Sequence, residues 1–164
     1  MIYDNTSVRR QDRLLDEPQA RALLQSGEYG VLSLVDTESL PYGIPVNYVW
    51  DGQDHIYLHC APEGKKLNSI RRQADASFCV VGRTHVVSHK FTTGYESIVM
   101  KCRAQIGLSV DERHHALRLL LEKYSPDDLA VGLNYAEKSF HRTEIIRLDI
   151  REYSGKQKKV DWLV

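Results

Sequence analysis

The chain has 164 residues, of which 42% are hydrophobic and 27% are charged, and these values predict one globular domain spanning 1–164. Lys and Arg together number 22, as do Asp and Glu, so the charge gives no reason to expect binding to nucleic acid or to an anionic membrane. No apolar run approaches the ~20 residues of a membrane-spanning helix and the N-terminus lacks the apolar core of a secretory signal, so we expect a cytoplasmic protein.

The first predicted element is a short helix in the segment 15–30. Asp16 suits the N-cap position, Pro18 falls in the first turn, and Gly27 supplies the stop. Ala20, Leu23 and Leu24 recur at helical spacing and give the helix one apolar face.

Three strands are predicted next, at residues 29–36, 43–50 and 55–60. Their alternating apolar residues and the short turns between them favour an antiparallel meander. Pro45 has no backbone N–H, so the second of these strands should lie at an edge or have an irregular ladder.

The rest of the chain alternates between helix and strand patterns. A helix is predicted up to about Arg72, and strands at residues 76–89 and 95–108. The segment 111–126 has an acidic start, apolar residues at helical spacing and a proline at its end, which predict a helix. A final strand is predicted at 143–153. About six strands and three helices indicate a mainly β protein, an antiparallel barrel with peripheral α-helices.

The cysteines and histidines give no sign of a metal site. Cys60, Cys79 and Cys102 are an odd, widely spaced set without a C-x-x-C motif, which favours free thiols. The histidine pairs 55/59 and 85/89 fall in predicted strands, where a spacing of four residues separates side chains by about 13 Å. Two ligands of one zinc ion must each lie about 2 Å from it. We therefore expect no bound metal.

The stretch HCAPEGKK, residues 59–66, comes immediately before a helical pattern. Lysines at the start of a helix oppose its dipole, which suggests that an anion lies among them. The stretch lacks the G-x-x-x-x-G-K-[ST] motif of a nucleotide-binding loop. Gly64, Lys65, Lys66 and the free N–H groups of the following helix nevertheless indicate an anion site of the phosphate kind. The alternative is that both lysines are solvated surface residues.

The order of these segments resembles the nitroimidazole-resistance branch of the pyridoxamine 5′-phosphate oxidase-like, flavin-binding split-barrel superfamily. The similarity covers residues 9–156, and PVNY (45–48), HCAPEGKK (59–66) and YESIV (95–99) occur in the corresponding order and spacing. It implies an antiparallel split barrel and a homodimer that holds flavin in a groove at the subunit interface. The implied cofactor is FMN, and an open groove would also admit FAD.

The resemblance also implies which residues contact the flavin. One strand segment should run along the isoalloxazine ring, the next strand should end near the ring and ribityl chain, the loop should hold the phosphate, and a further strand should frame the site. In chain order these residues are Pro45, Val46, Asn47, Tyr48, His59, Cys60, Gly64, Lys65, Lys66, Tyr95, Glu96 and Ser97.

The activity implied by the resemblance is reduction of a small electrophile, with a 5-nitroimidazole-type nitroaromatic as the candidate substrate. His59 is then the candidate catalytic residue, as proton donor or substrate ligand, because an ordinary histidine pKa near 6.5 suits that role. The alternative for His59 is a structural histidine bonded to backbone. Other functions stay open, namely a flavin-binding sensor or carrier without turnover and a haem-binding protein. The C-terminal Trp and Arg pattern of true pyridoxamine 5′-phosphate oxidases is missing, so that substrate is not expected.

Overall fold

Eight β-strands form one sheet in the computed structural model, which describes residues 1–160. The strands are β1 (Ile2–Tyr3), β2 (Gly30–Val35), β3 (Pro41–Val46), β4 (Val49–Trp50), β5 (His55–Cys60), β6 (Asp75–Val87), β7 (Thr92–Gln105) and β8 (Glu144–Lys158). The α-helices of the described chain are α1 (Glu17–Ser26), α2 (Lys65–Arg72), α3 (Val110–Tyr124) and α4 (Leu129–Ser139).

The strand order shows how the sheet curls into a barrel. Along the sheet the order is β3-β2-β6-β7-β8-β5-β4, with antiparallel neighbours throughout, while β1 pairs in parallel with β8. Only Asn47 and Tyr48 separate β3 from β4 in the chain, and three Cα–Cα steps span at most about 11 Å. The two ends of the sheet therefore meet at this crossover. Because no ladder joins β3 to β4 among residues 1–160, the barrel is split, as predicted.

The predicted strand at 43–50 is wrong as a single element. It breaks at Asn47 and Tyr48, so that β3 pairs with β2 and β4 pairs with β5, and the predicted meander becomes two hairpins at opposite ends of the sheet. The backbone groups of Tyr48 bond to side chains of α3 in place of a strand partner. The position of Pro45 on a terminal strand is confirmed.

Helix α1 has the caps that the sequence predicts. The Asp16 carboxylate accepts a bond of 2.8 Å from the Gln19 N–H, and the Gln19 side chain returns to the Asp16 N–H in a capping box. Gly27 forms the C-cap, and the predicted apolar face is buried in the main core.

Helix α4 was not predicted. It packs against α3, which lies over β4, β5 and β8. A second apolar cluster lies between α3 and these strands, made of Val49, Tyr57, Ala116, Leu120 and Ile145. The main core lies inside the curled sheet and is closed by α1 and α2. Among the described helices, none combines the length and apolar character needed to cross a membrane.

The thiols are free, as predicted, with Cys102 buried and Cys60 and Cys79 partly exposed. Within residues 1–160, no three His, Cys, Asp or Glu side chains are grouped in a way that would hold a metal ion.

Candidate functional site

Helix α2 begins with an open N-terminus directly after β5. Gly64 is its N-cap and has φ 128°, a backbone conformation that L side chains rarely adopt. A Cβ at this position would meet nothing within 4 Å, so there is free space beside the helix start. No side chain of the described residues caps the helix, and its first turn contains no acidic residue. The first-turn N–H groups are therefore available to an anion.

The two lysines of the first turn have different surroundings. Lys65 Nζ lies 2.9 Å from Asp36 Oδ2 and 4.6 Å from the centroid of the Tyr42 ring. The Asp36 residue is 3% exposed, and its Oδ1 atom accepts bonds from the N–H groups of Glu38 and Leu40. The Lys65 ammonium and these amides hold the pKa of Asp36 below its usual value. Lys66 forms no ion pair with any residue in the range 1–160, so its charge is free to meet a ligand.

His59 lies at the end of β5, between Lys66 and a cavity. Its ring lines the cavity and has no hydrogen-bond partner among residues 1–160. Partial burial, together with the positive charge of Lys66, lowers the pKa of His59 below its ordinary value of 6.5. The imidazole is therefore mostly neutral at pH 7.

The cavity has a volume of about 260 Å³ and lies between the end of β5, α3 and α4. Its apolar walls come mainly from the two helices, and its polar end contains Asn47 and His59. The wall residues are Leu117, Leu120, Leu121, Tyr124, Tyr135 and Ala136. A cavity slightly below the usual range for ligand pockets, about 300–1,000 Å³, suits a molecule of one or two rings.

The last turn of α3 fixes the crossover between β3 and β4. The Tyr48 N–H donates to the Tyr124 hydroxyl at 2.9 Å, and that hydroxyl lies 2.6 Å from the Glu28 carbonyl and 2.8 Å from the Tyr48 carbonyl. Lys123 Nζ donates to the carbonyls of Gly27 and Tyr48 at 2.7 and 2.9 Å. These contacts hold Asn47 at the cavity.

Lys123 is unusual because its ammonium group has no carboxylate partner among residues 1–160. Its Nζ atom lies 3.7 Å from the centroid of the Tyr48 ring, and burial lowers the pKa of Lys123 to about 8. Two carbonyl oxygens and an aromatic face compensate part of the cost of burying this charge.

The structure brings several of the predicted site residues together. Asn47 and His59 line the same cavity, and Pro45 and Val46 line a second, shallower cavity that also contains Asn47. Cys60 packs against the main core, and burial raises the pKa of its thiol.

Tyr48 has a different environment from its predicted neighbours. Its side chain is buried and its hydroxyl donates to the Leu24 carbonyl at 2.6 Å. Because its backbone N–H and carbonyl also have partners on α3, all its polar groups are engaged within the protein. Its contact with a cofactor stays a prediction.

Tyr95, Glu96 and Ser97 lie apart from the His59 cavity within one chain. One row of paired residues crosses the sheet from β3 to β7 and contains Val46, Gly30, Val80 and Ile98. Ser97 precedes Ile98, so two strands lie between it and Val46, which corresponds to about 14 Å. Tyr95 lines a separate cavity beside Phe91. Glu96 Oε1 accepts a bond of 3.1 Å from the Arg83 N–H.

Sequence reasoning missed the residues that build the outer wall of the cavity. The apolar residues of α4 recur at helical spacing after an acidic PDD turn, a weak signal that Gly132 obscures. In the sequence, Lys123 and Tyr124 show only the end of a helix. No local pattern marks Asp36 as the partner of Lys65.

The split barrel, its peripheral helices and the open start of α2 define a protein of the flavin-binding split-barrel class. A sequence profile of the pyridoxamine 5′-phosphate oxidase family matches residues 16–157, and the chain belongs to that family. No protein with a curated description matches the sequence.

Solved structures share the fold at low sequence identity. One is a protein of Bacteroides thetaiotaomicron proposed to confer 5-nitroimidazole antibiotic resistance, with a TM-score of 0.75 and 19% identity over 88% of this chain and 86% of that one. The FAD- and haem-binding protein of Mycobacterium smegmatis has a TM-score of 0.72 and 18% identity over 88% and 72%. An FAD-binding protein of Mesorhizobium loti has a TM-score of 0.63 and 21% identity over 90% and 98%.

Proposed function

We propose that the protein is a flavin-dependent oxidoreductase that reduces a small nitroaromatic compound of the 5-nitroimidazole type. The observation that carries this proposal is the open, lysine-bearing start of α2 next to His59, which itself faces an apolar cavity. Membership of a flavin-binding family supports the cofactor. Similarity to the Bacteroides protein supports the substrate class.

The residues at the start of α2 fit a flavin phosphate. Three features suit one phosphate group: the N–H groups of the first turn, the space beside Gly64, and the charge of Lys66, which has no ion-pair partner in the described part of the chain. Lys65 would contribute its charge while bonded to Asp36. This single phosphate site favours FMN. FAD is the alternative cofactor, and its second phosphate would lie outside this loop.

The chain's own side chains would manage substrate position and protons. Bound flavin supplies the hydride. Conversion of a nitro group to a nitroso group takes up one hydride and one proton and releases water, so a proton must reach a nitro oxygen. Among the described residues that line the cavity, His59 is the side chain whose ordinary pKa lies near neutral pH, and we assign it this proton delivery. Leu117 and Leu121 would hold the ring and exclude water.

We propose that the protein acts as a homodimer with the flavin at the subunit interface. On the face of the sheet opposite the core, one row of residues is paired in register across β3, β2, β6 and β7. It consists of Pro45, Val31, Cys79 and Val99. Val99 is 46% exposed, and this largely apolar row suits a symmetric contact with a second copy. Tyr95, Glu96 and Ser97 lie apart from the His59 cavity within one chain, and a partner subunit would bring its own copies of them to the flavin.

Sedimentation tests the dimer. Val99→Glu should convert the protein to a monomer and weaken flavin binding, whereas Val131→Glu, at a 72% exposed position on α4, should change neither. A wild-type monomer carrying flavin at micromolar concentration would contradict the homodimer.

A binding protein without turnover is the second candidate function. The observation that favours it is the His59 ring, which has no hydrogen-bond partner within the described residues and is therefore available to a haem iron. One protein of the same fold binds both FAD and haem. Such a protein would act as a sensor or carrier.

The visible spectrum and mass of the cofactor that copurifies separate these functions. We expect flavin absorbance, bleaching by a nicotinamide donor without oxygen, and recovery on addition of a 5-nitroimidazole. A haem spectrum, or bound flavin that no nitroaromatic reoxidises, would favour the second function. Failure to bind added FMN or FAD would contradict both flavin proposals.

A further inference from the structure

We propose that the cavity between β5, α3 and α4 is a binding site for a neutral aromatic molecule of one or two rings, and that it selects against anionic substrates. The inference rests on the proposed function in one respect, that this cavity receives the compound to be reduced. The cavity's preference for neutral ligands depends only on the residues that line it.

The shape and lining of the cavity favour an aromatic ligand. Leucine side chains from α3 and the Tyr124 and Tyr135 rings form its walls, within a volume of about 260 Å³. Flat apolar rings gain most from such walls, because the free energy gained on binding grows with the apolar surface removed from water. A long flexible chain would lose more conformational entropy on entering the same space.

The charge distribution around the cavity favours a neutral ligand. No Asp, Glu, Lys or Arg side chain of the described residues lines it. On α3, Glu112 bonds to Arg147 at 2.7 Å and Arg113 Nε lies 3.7 Å from Glu144. Lys123 Nζ donates to two backbone carbonyls and does not line the cavity. A carboxylate or phosphate buried here would meet no cation in the described cavity wall, and an unpaired buried charge is costly.

The polar groups at the inner end of the cavity belong to Asn47 and His59. The Ser139 hydroxyl donates to the Tyr135 carbonyl at 2.9 Å, and the Thr143 hydroxyl donates to the Ser139 carbonyl at 3.0 Å. The ring of His59 is unpartnered within residues 1–160, and as a neutral imidazole it can donate one bond. The ligand should therefore present one polar edge, such as a nitro group or ring nitrogen, to the end of the cavity that contains Asn47 and His59.

A matched pair of probes tests the charge preference. We expect nitrobenzene to bind the purified protein in calorimetric titration at pH 7, and 4-nitrobenzoate to bind about tenfold or more weakly. In NMR spectra, nitrobenzene should show intermolecular contacts to the methyl groups of Leu117 and Leu121. Equal binding of the two probes, or contacts to methyl groups elsewhere, would overturn the inference.

A matched pair of variants tests the location. Ala136 lines the cavity, whereas Ala130 is exposed on the same helix. Ala136→Phe should weaken nitrobenzene binding about tenfold or more without changing flavin content, and Ala130→Phe should change neither. Unchanged nitrobenzene affinity in a folded Ala136→Phe variant would overturn the inference. If Ala136→Phe fails to fold, the NMR contacts in the wild-type protein show whether nitrobenzene binds in this cavity.

The two proposals fail in different ways. Selective binding of nitrobenzene at Leu117 and Leu121 by a protein that takes up no flavin would support the cavity and contradict the oxidoreductase. Flavin-dependent nitroreduction that Ala136→Phe leaves intact, with no probe bound in the cavity, would support the oxidoreductase and contradict this cavity as its substrate site.

Discussion

Lys65 and Asp36 form an ion pair that joins the first turn of α2 to the end of β2, with 2.9 Å between Nζ and Oδ2. The pair makes the two adjacent lysines of the HCAPEGKK stretch inequivalent. Lys65 neutralises a buried carboxylate, while the charge of Lys66 has no partner among residues 1–160. One lysine therefore supports the fold around the loop, and the other is available to a phosphate.

Separate substitutions of the two lysines should give different results. Lys66→Ala should weaken flavin affinity about ten- to hundredfold, since a charge-assisted bond is worth roughly 1.5–3 kcal/mol, with no loss of Tm in the flavin-free protein. Lys65→Ala should lower that Tm because Asp36 loses its cation. Lys138→Ala on α4 serves as the control for both. Equal effects of Lys65→Ala and Lys66→Ala on Tm and affinity would contradict this division.

Gly64→Ala should reduce both stability and flavin affinity. Its φ of 128° makes any L side chain strained, at a cost of about 1–3 kcal/mol, and the new methyl group would occupy the free space beside the start of α2. Gly107→Ala is the matched control because Gly107 has φ 70° and the same open surroundings. Urea unfolding should show a loss for both variants, whereas flavin titration should show a loss for Gly64→Ala only. A similar fall in flavin affinity for both would mean that the effect comes from strain.

His59→Ala should keep its flavin and lose nitroreductase activity by about a hundredfold or more, the usual scale for a proton-transfer residue. Since the pKa of His59 lies below 6.5, the protonated imidazole is depleted as pH rises through that lowered value. The kcat of the wild-type protein should therefore fall as pH rises, with its midpoint below pH 6.5, and the profile of His59→Ala should be flat. Loss of the cofactor from His59→Ala would instead make His59 a binding residue.

Lys123 should make stability increase with pH in the alkaline range. An unfolded lysine keeps its proton up to about pH 10.5, whereas folding lowers the pKa of Lys123 to about 8. The unfolded state therefore binds more protons between these values, and the free energy of unfolding rises with pH across that window. Burial raises the pKa values of the neighbouring Tyr48 and Tyr124 above 10, so these groups stay neutral there.

Urea unfolding of the wild type and of Lys123→Met between pH 7 and pH 9.5 tests the predicted effect of Lys123 on stability. The stability of the wild type relative to the variant should improve above about pH 8, and Lys138→Met should show no such trend. A constant difference between the wild type and Lys123→Met would show that the ammonium group is well solvated.

The sequence by itself determined the elements whose signals are local. The caps of α1 depend on Asp16 and Gly27, which act within one turn, and the limits of β5 and α2 follow from side-chain periodicity and from Gly64. The antiparallel split barrel was also predictable, because the resemblance covers the order and spacing of several segments. The site residues at 45–48, 59–66 and 95–97 came from the same resemblance, and their contacts with flavin stay predictions.

The tertiary structure alone decided the features that depend on distant residues. The break between β3 and β4 exists because Tyr124, 76 residues further on, satisfies the Tyr48 N–H that a strand partner would otherwise take. Lys65 forms an ion pair with Asp36, 29 residues earlier, because α2 packs on β2. The cavity at His59 requires α3 and α4 to pack over the end of β5. Periodicity describes one element at a time, whereas these contacts depend on how separate elements meet.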